Sequence, residues 1–116
     1  MSHTVLLVED EDELREMMSD ALEFNGYQVV AARDGQDALD ALSTIQPCLV
    51  LLDLLMPGMN GWDFFAKMRQ LPKLADVPVV VHSSSPSSAP EGVTRVLQKP
   101  LQLERLLSVV REYCAP

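Results

Sequence analysis

Residues 48–52 read Cys-Leu-Val-Leu-Leu and stop abruptly at Asp53. An apolar run of this length without alternation is a strand buried on both faces, as in a parallel sheet with helices on either side. Similar short runs occupy Thr4–Val8, Tyr27–Ala31 and Val77–Val81, with a shorter one at Thr94–Leu97. Between them lie apolar stripes at helical spacing. Leu14, Met17, Met18, Ala21 and Leu22 form the first, which Asn25-Gly26 ends. Ala38, Leu39, Leu42 and Ile45 form the second, between an Asp34-Gly35 turn and Pro47. Pro57-Gly58 and Asn60-Gly61 punctuate a loop before the third helix, Trp62–Leu71, whose core contacts are Phe64, Phe65 and Met68. From Gln102 onward, Leu103, Leu106, Leu107 and Val110 form the last stripe.

Strands alternating with helices predict a parallel sheet covered on both faces. Right-handed crossovers leave few topologies, and at five strands the expected one is the flavodoxin-like order 2-1-3-4-5, a (βα)5 three-layer α/β sandwich. The stretch from Ser83 to Gly92 is rich in Ser and broken by Pro86 and Pro90. The helix between the fourth and fifth strands is therefore expected to be short or missing.

The chain has 116 residues, and residues 1–116 are expected to form one domain. A net charge of −8 argues against direct nucleic-acid binding and against adsorption to an anionic membrane. No apolar run reaches the roughly 20 residues of a membrane helix, and residues 1–5 show no secretory signal pattern. Cys48 and Cys114 lack metal-ligand spacing, so two reduced thiols in a cytoplasmic protein are expected.

In such a sheet, sites form beyond the carboxyl ends of the strands where the strand order reverses, here between strands one and three. Strand one ends in Glu9-Asp10, strand three in Asp53, strand four in His82-Ser83-Ser84 and strand five in Gln98-Lys99-Pro100. One edge thus gathers three carboxylates, hydroxyls and an ammonium. Three close acids repel one another, and a hard divalent cation relieves this. Mg²⁺ suits them, since it takes one or two carboxylates plus phosphate oxygens. Asp10 and Asp53 would supply carboxylates, with Glu9 helping. Lys99 and Ser83 would meet an incoming phosphoryl group, and Asp53 would be its nucleophile.

Val8-Glu9-Asp10-Glu11, Leu52-Asp53 through Asn60-Gly61, Val79 through Ser84, and Lys99-Pro100 together resemble the response-regulator receiver domains of bacterial two-component signalling, the CheY-like superfamily. The resemblance covers essentially the whole chain. It implies that Asp53 is the phosphoacceptor and that Glu9 and Asp10 form the acidic pair of a Mg²⁺ (or Mn²⁺) site. It implies a backbone carbonyl ligand from Leu55, a switch hydroxyl on Ser83 beside the small residue Ser84, and a phosphate-binding Lys99 whose bond to Pro100 is often cis. The implied partners are a sensor histidine kinase or phosphotransfer protein and a downstream protein or output domain. The protein would assist its own phosphorylation and dephosphorylation without being a turnover enzyme.

Two features depart from the family pattern. Val96 stands where a Tyr or Phe is usual, and only twelve residues separate Ser83 from Val96. They favour an alternative, a pseudo-receiver that acts as a phosphorylation-independent interaction module. A haloacid-dehalogenase phosphatase would need an aspartate at Leu55, and a flavin binder would need a Ser/Thr/Gly-rich loop after strand one. Glu11, Asp12 and Glu13 read as a solvated helix start. His82 could serve as a phosphoryl donor or a metal ligand, but it is expected to be structural, on the opposite side of its strand from Ser83.

Overall fold

The computed structural model describes residues 3–56, 58–84 and 89–115. Five parallel strands form one sheet in the order β2-β1-β3-β4-β5. They are β1 (Thr4–Val8), β2 (Gln28–Ala32), β3 (Leu49–Asp53), β4 (Val79–Ser83) and β5 (Arg95–Gln98). The helices are α1 (Asp12–Phe24), α2 (Gly35–Leu42), α3 (Gly61–Arg69) and α4 (Leu103–Tyr113), with a 3-10 turn at Pro72–Leu74. This is the flavodoxin-like α/β topology expected.

Four strands begin one or two residues later than expected. Pro78 has no N–H for the ladder, so β4 starts after it. At the far ends pairing runs past the apolar residues: Asp53 is registered with His82, and Ser83 with Gln98. The polar residues of interest thus sit within rigid strands or directly after them. Asp34 and Asn60, expected in turns, instead cap helices. They accept from the backbone N–H groups of Asp37 at 2.8 Å and Asp63 at 2.9 Å.

Alternation along the strands sorts the core into two layers. Leu6, Val8, Val50, Leu52, Val79 and Val81 meet Ala38 and Leu42 of α2 and Phe64, Phe65 and Met68 of α3. Val5, Leu7, Leu49, Leu51, Val80 and Leu97 meet Met18 and Leu22 of α1 and Leu106, Val109 and Val110 of α4. Two positions expected in apolar stripes are exposed, Met17 at 42% and Leu103 at 38%. The buried face of α1 centres on Met18 and Leu22, and Val109 displaces Leu103 from that of α4.

Cys48 and Cys114, expected as reduced thiols, are joined in a disulfide across 66 residues, with their Cα atoms 5.5 Å apart. The sheet brings the start of β3 against the end of α4, within ordinary bridging distance. Among the described residues no helix lies between β4 and β5. Residues 85–88 of that stretch, and Pro57 of the Pro57-Gly58 turn, lie outside the described residues. The returning chain is pinned at Thr94, whose N–H donates to the Val79 carbonyl at 2.8 Å and whose hydroxyl accepts from the Val79 N–H at 3.1 Å.

Candidate functional site

The alternation that builds the α1/α4 layer continues past it. Val5 and Leu7 lead to Glu9, Leu49 and Leu51 to Asp53, Val80 to His82, and Leu97 to Lys99. All four side chains therefore emerge on one face, at the carboxyl edge of the sheet. The Glu9 N–H continues the ladder by donating to the Ala32 carbonyl at 3.0 Å, which keeps the residue extended and its side chain inward. Its Oε2 accepts from the Glu11 N–H at 3.0 Å. Its Oε1 lies 3.3 Å from Lys99 Nζ and 3.4 Å from His82 Nδ1. Arg15 on α1 donates to the Glu9 carbonyl at 2.9 Å and pairs with Asp12 at 2.5 Å, anchoring the helix start beneath the acid.

Asp53 closes β3. Its Oδ1 accepts from the Leu55 N–H at 3.3 Å, and its Oδ2 lies 3.6 Å from Lys99 Nζ. The chain turns here because α3 begins in close contact with the strand end. The Gly61 N–H donates to the Leu54 carbonyl at 2.9 Å. A Cβ on Gly61 would sit 2.6 Å from Leu54 Cα and 2.8 Å from the Asp53 carbonyl oxygen. Only glycine fits this approach.

Two buried carboxylates share one ammonium. Burial pushes the Glu9 carboxyl up to about 7; the charge of Asp53 adds to this, while the Glu11 N–H and Lys99 oppose it. Burial also raises Asp53, against the pull of Lys99. Asp10 is exposed at the mouth of the cleft and close enough to raise both. Both raised values come first from burial, which disfavours the charged carboxylates, with neighbouring acids adding to it. The donor set, oxygen-rich, acidic and open at one side through Asp10, fits a hard divalent cation.

Of the residues singled out from sequence, Glu9, Asp53 and Lys99 come together within hydrogen-bonding or ion-pair reach. Asp10 stands beside them, and the peptide of Leu55 is held against Asp53. Ser83 is buried on the opposite side of β4, with Val79 and Val81, and its carbonyl accepts from the Lys99 N–H at 2.9 Å. Ser84 is exposed and, with Lys99, lines an open groove of about 450 Å³ between α1 and the β5–α4 connection. The Lys99–Pro100 bond is cis. Val96 is half-buried against the α2/α3 layer.

Sequence reasoning read His82 as structural without setting it beside the acids. It does point away from Ser83, as expected, but that side is the one holding Glu9 and Asp53. It is fully buried, and burial, then the charge of Lys99, lowers its pKa to about 3. The signal was available in the parity of the strands, since residues registered across β3 and β4 share a face and His82 is registered with Asp53.

An open doubly wound sheet whose switch point carries two buried acids and a lysine defines a flavodoxin-like α/β domain with a charged cleft. The profile of the response regulator receiver domain matches residues 5–111, and the chain belongs to that family, the receiver domains of two-component systems. Response regulator MprA of Mycolicibacterium vanbaalenii is 34% identical over 113 residues, covering 92% of this chain and 48% of that protein. The chain spans about half the length of the curated relatives it matches. Among solved structures, chemotaxis response regulator CheY4 of Vibrio cholerae superposes with a TM-score of 0.86 at 28% identity, covering 97% of this chain and 99% of that one. The signal receiver domain of a signal transduction histidine kinase from Syntrophus aciditrophicus gives 0.84 at 30% identity, covering 95% and 88%.

Proposed function

We propose that Asp53 accepts a phosphoryl group from a sensor histidine kinase or phosphotransfer protein, and that the product state switches binding to a downstream protein or output domain. The observation that carries this reading is the position of Lys99 Nζ, 3.3 Å from Glu9 and 3.6 Å from Asp53 at the end of β3. A cation so placed meets both the nucleophile and the oxygens of an arriving phosphoryl group. In the transfer, an Asp53 carboxylate oxygen attacks phosphorus, the phosphorus–nitrogen bond of the donor phosphohistidine breaks, and the released imidazole nitrogen takes up a proton. Lys99 offsets charge on the phosphoryl oxygens, and the Ser83 hydroxyl, on the other side of β4, donates to one of them once the end of that strand draws toward Asp53. Mg²⁺ or Mn²⁺ would be held by Asp10, Asp53 and the Leu55 carbonyl, with Glu9 in support; when bound it would favour the charged carboxylates that burial disfavours. Residues 1–116 form one receiver unit working with protein partners, as the charge of −8 favours over nucleic acid. The chain assists its own phosphorylation and dephosphorylation rather than turning over a substrate.

Incubation with acetyl phosphate and Mg²⁺ followed by intact mass measurement tests this. One phosphoryl adduct on the wild type and none on Asp53→Asn is expected; equal adducts on both rule it out. One observation favours the second reading, a phosphorylation-independent interaction module: Val96 is aliphatic where the family relay uses a ring. Partner binding that survives Asp53→Ala, without any response to Mg²⁺, would establish that module instead.

A further inference from the structure

His82 is a buried ionisable group in the cleft to which the reading above gives no task. Its side chain is 1% exposed and that of Glu9 0%. Neither ring nitrogen makes a hydrogen bond of acceptable geometry. The Val8 backbone stands near enough to favour the protonated ring slightly, but it does not satisfy either nitrogen. A buried polar group left in this way calls for an explanation, of which an absent ion is one.

The geometry supplies it. His82 and Asp53 are registered neighbours on one face. The ligand atoms of Glu9, Asp53 and His82 all lie within 4.8 Å of one another. Two donors held by one ion at about 2.1 Å stand roughly 3.0 to 3.4 Å apart in octahedral or tetrahedral arrangements. The 3.4 Å between His82 Nδ1 and Glu9 Oε1 already meets that spacing, and the third donor, from Asp53, lies within 4.8 Å of both. Lys99 Nζ competes for the same Glu9 oxygen, but its side chain is 24% exposed and has room to withdraw.

We infer that His82 is a nitrogen ligand joined to Glu9 and Asp53, so that this cleft takes a borderline dication of the Ni²⁺, Co²⁺ or Zn²⁺ class more tightly than an all-oxygen cleft would. The inference rests on the reading that the cleft holds a divalent cation, and it changes which cations are selected. Imidazole suits these ions, whereas Mg²⁺ prefers oxygen. A ligating imidazole binds through the lone pair of an uncharged ring nitrogen. His3, the second histidine of the chain, precedes β1 at the opposite edge of the sheet.

Metal-stripped protein carrying His3→Ala, with and without His82→Leu, is titrated with Ni²⁺ by calorimetry. Loss of His82 is expected to weaken binding by at least about tenfold; equal affinities overturn the inference. Pulsed electron paramagnetic resonance of Mn²⁺ bound to the His3→Ala protein is expected to show coupling to an imidazole nitrogen. Its absence overturns the inference, and this measurement decides the matter if His82→Leu does not fold. The Asp53 adduct formed with Mg²⁺ is scored separately. An adduct together with equal Ni²⁺ affinities keeps the receiver reading and overturns the nitrogen ligand. Imidazole coupling without an adduct supports the nitrogen ligand and overturns the phosphoacceptor reading.

Discussion

The ends of β1 and β3 and the ends of β4 and β5 face one another across the cleft, yet they are supported differently. On the first side both buried acids are held. Glu9 accepts from the Glu11 N–H, Arg15 anchors its carbonyl, Asp53 accepts from the Leu55 N–H, and Gly61 packs α3 against the strand end. On the second side β4 delivers an imidazole without a hydrogen bond and an exposed Ser84, and β5 carries Val96 in place of a ring. Phosphoryl chemistry needs fixed groups; the first side supplies the acids, and from the second only Lys99 joins them, its N–H held by the Ser83 carbonyl. Readout needs an element that can rearrange, and here the second side departs from the family pattern.

Gly61→Ala attacks the held side most directly. The atoms a Cβ would meet at 2.6 and 2.8 Å are backbone atoms of Leu54 and Asp53, which cannot swing away. A loss of about 3 kcal/mol in urea unfolding is expected, with slower phosphorylation because Asp53 itself is displaced. Gly58→Ala is the control. Gly58 has φ +71° but no atom within 4 Å of a built Cβ, so its cost is conformational, about 1 kcal/mol. If the two substitutions cost the same, the β3 end is not the tight element described.

The two sides also oppose each other in pH dependence when metal is absent. Glu9 keeps its proton in the fold between its ordinary 4.5 and about 7, where the unfolded chain has lost it. Its contribution to stability is therefore fully present below 4.5 and is lost as pH rises through 7. His82 stays uncharged in the fold between about 3 and 6.5, where the unfolded chain is protonated. Its contribution is present above 6.5 and is lost as pH falls toward 3. The Glu9 and His82 slopes oppose each other between 4.5 and 6.5, so wild-type stability there is expected to fall only by what the raised Asp53 carboxyl contributes as pH rises. His82→Leu removes the rising arm. The variant should be about 2 kcal/mol more stable than wild type at pH 5 and should then lose about 3 kcal/mol as pH rises from 4.5 to 7. Denaturant unfolding in chelator-treated buffer across this range measures both; a variant curve parallel to wild type would sever the coupling between the sides.

The held side is also the side that the sequence announces. Unbroken apolar runs ending at Glu9 and Asp53 fix strand type, sheet order and the place of the acids, because burial on both faces leaves little freedom. Other features are set by tertiary contact. The Cys48–Cys114 bond depends on how the end of α4 returns to the start of β3. The exposure of Met17 and Leu103 depends on how far each helix rotates on the sheet, which a stripe of spaced residues does not specify. His82 was hidden for another reason. Its parity was read relative to Ser83 on its own strand, whereas its meaning comes from Asp53 on the neighbouring strand.

Val96→Tyr probes the unsupported side with the smallest expected disturbance. Val96 is registered with Val81 on β5, the edge strand, and packs half-buried against the α2/α3 layer, the same side of the sheet as Ser83. A ring there can extend toward solvent past the strand edge, so a change in stability under about 1 kcal/mol is expected. What it adds is a reporter. If Ser83 draws toward a phosphoryl group on Asp53, the space beside residue 96 changes, and the ring resonances of Tyr in nuclear magnetic resonance spectra should shift when acetyl phosphate and Mg²⁺ are added. Resonances that stay fixed while Asp53 is fully phosphorylated would mean that the cleft and the β4–β5 surface are energetically separate. Partner binding at that surface would then follow the second, phosphorylation-independent reading even though the chemistry at Asp53 is intact.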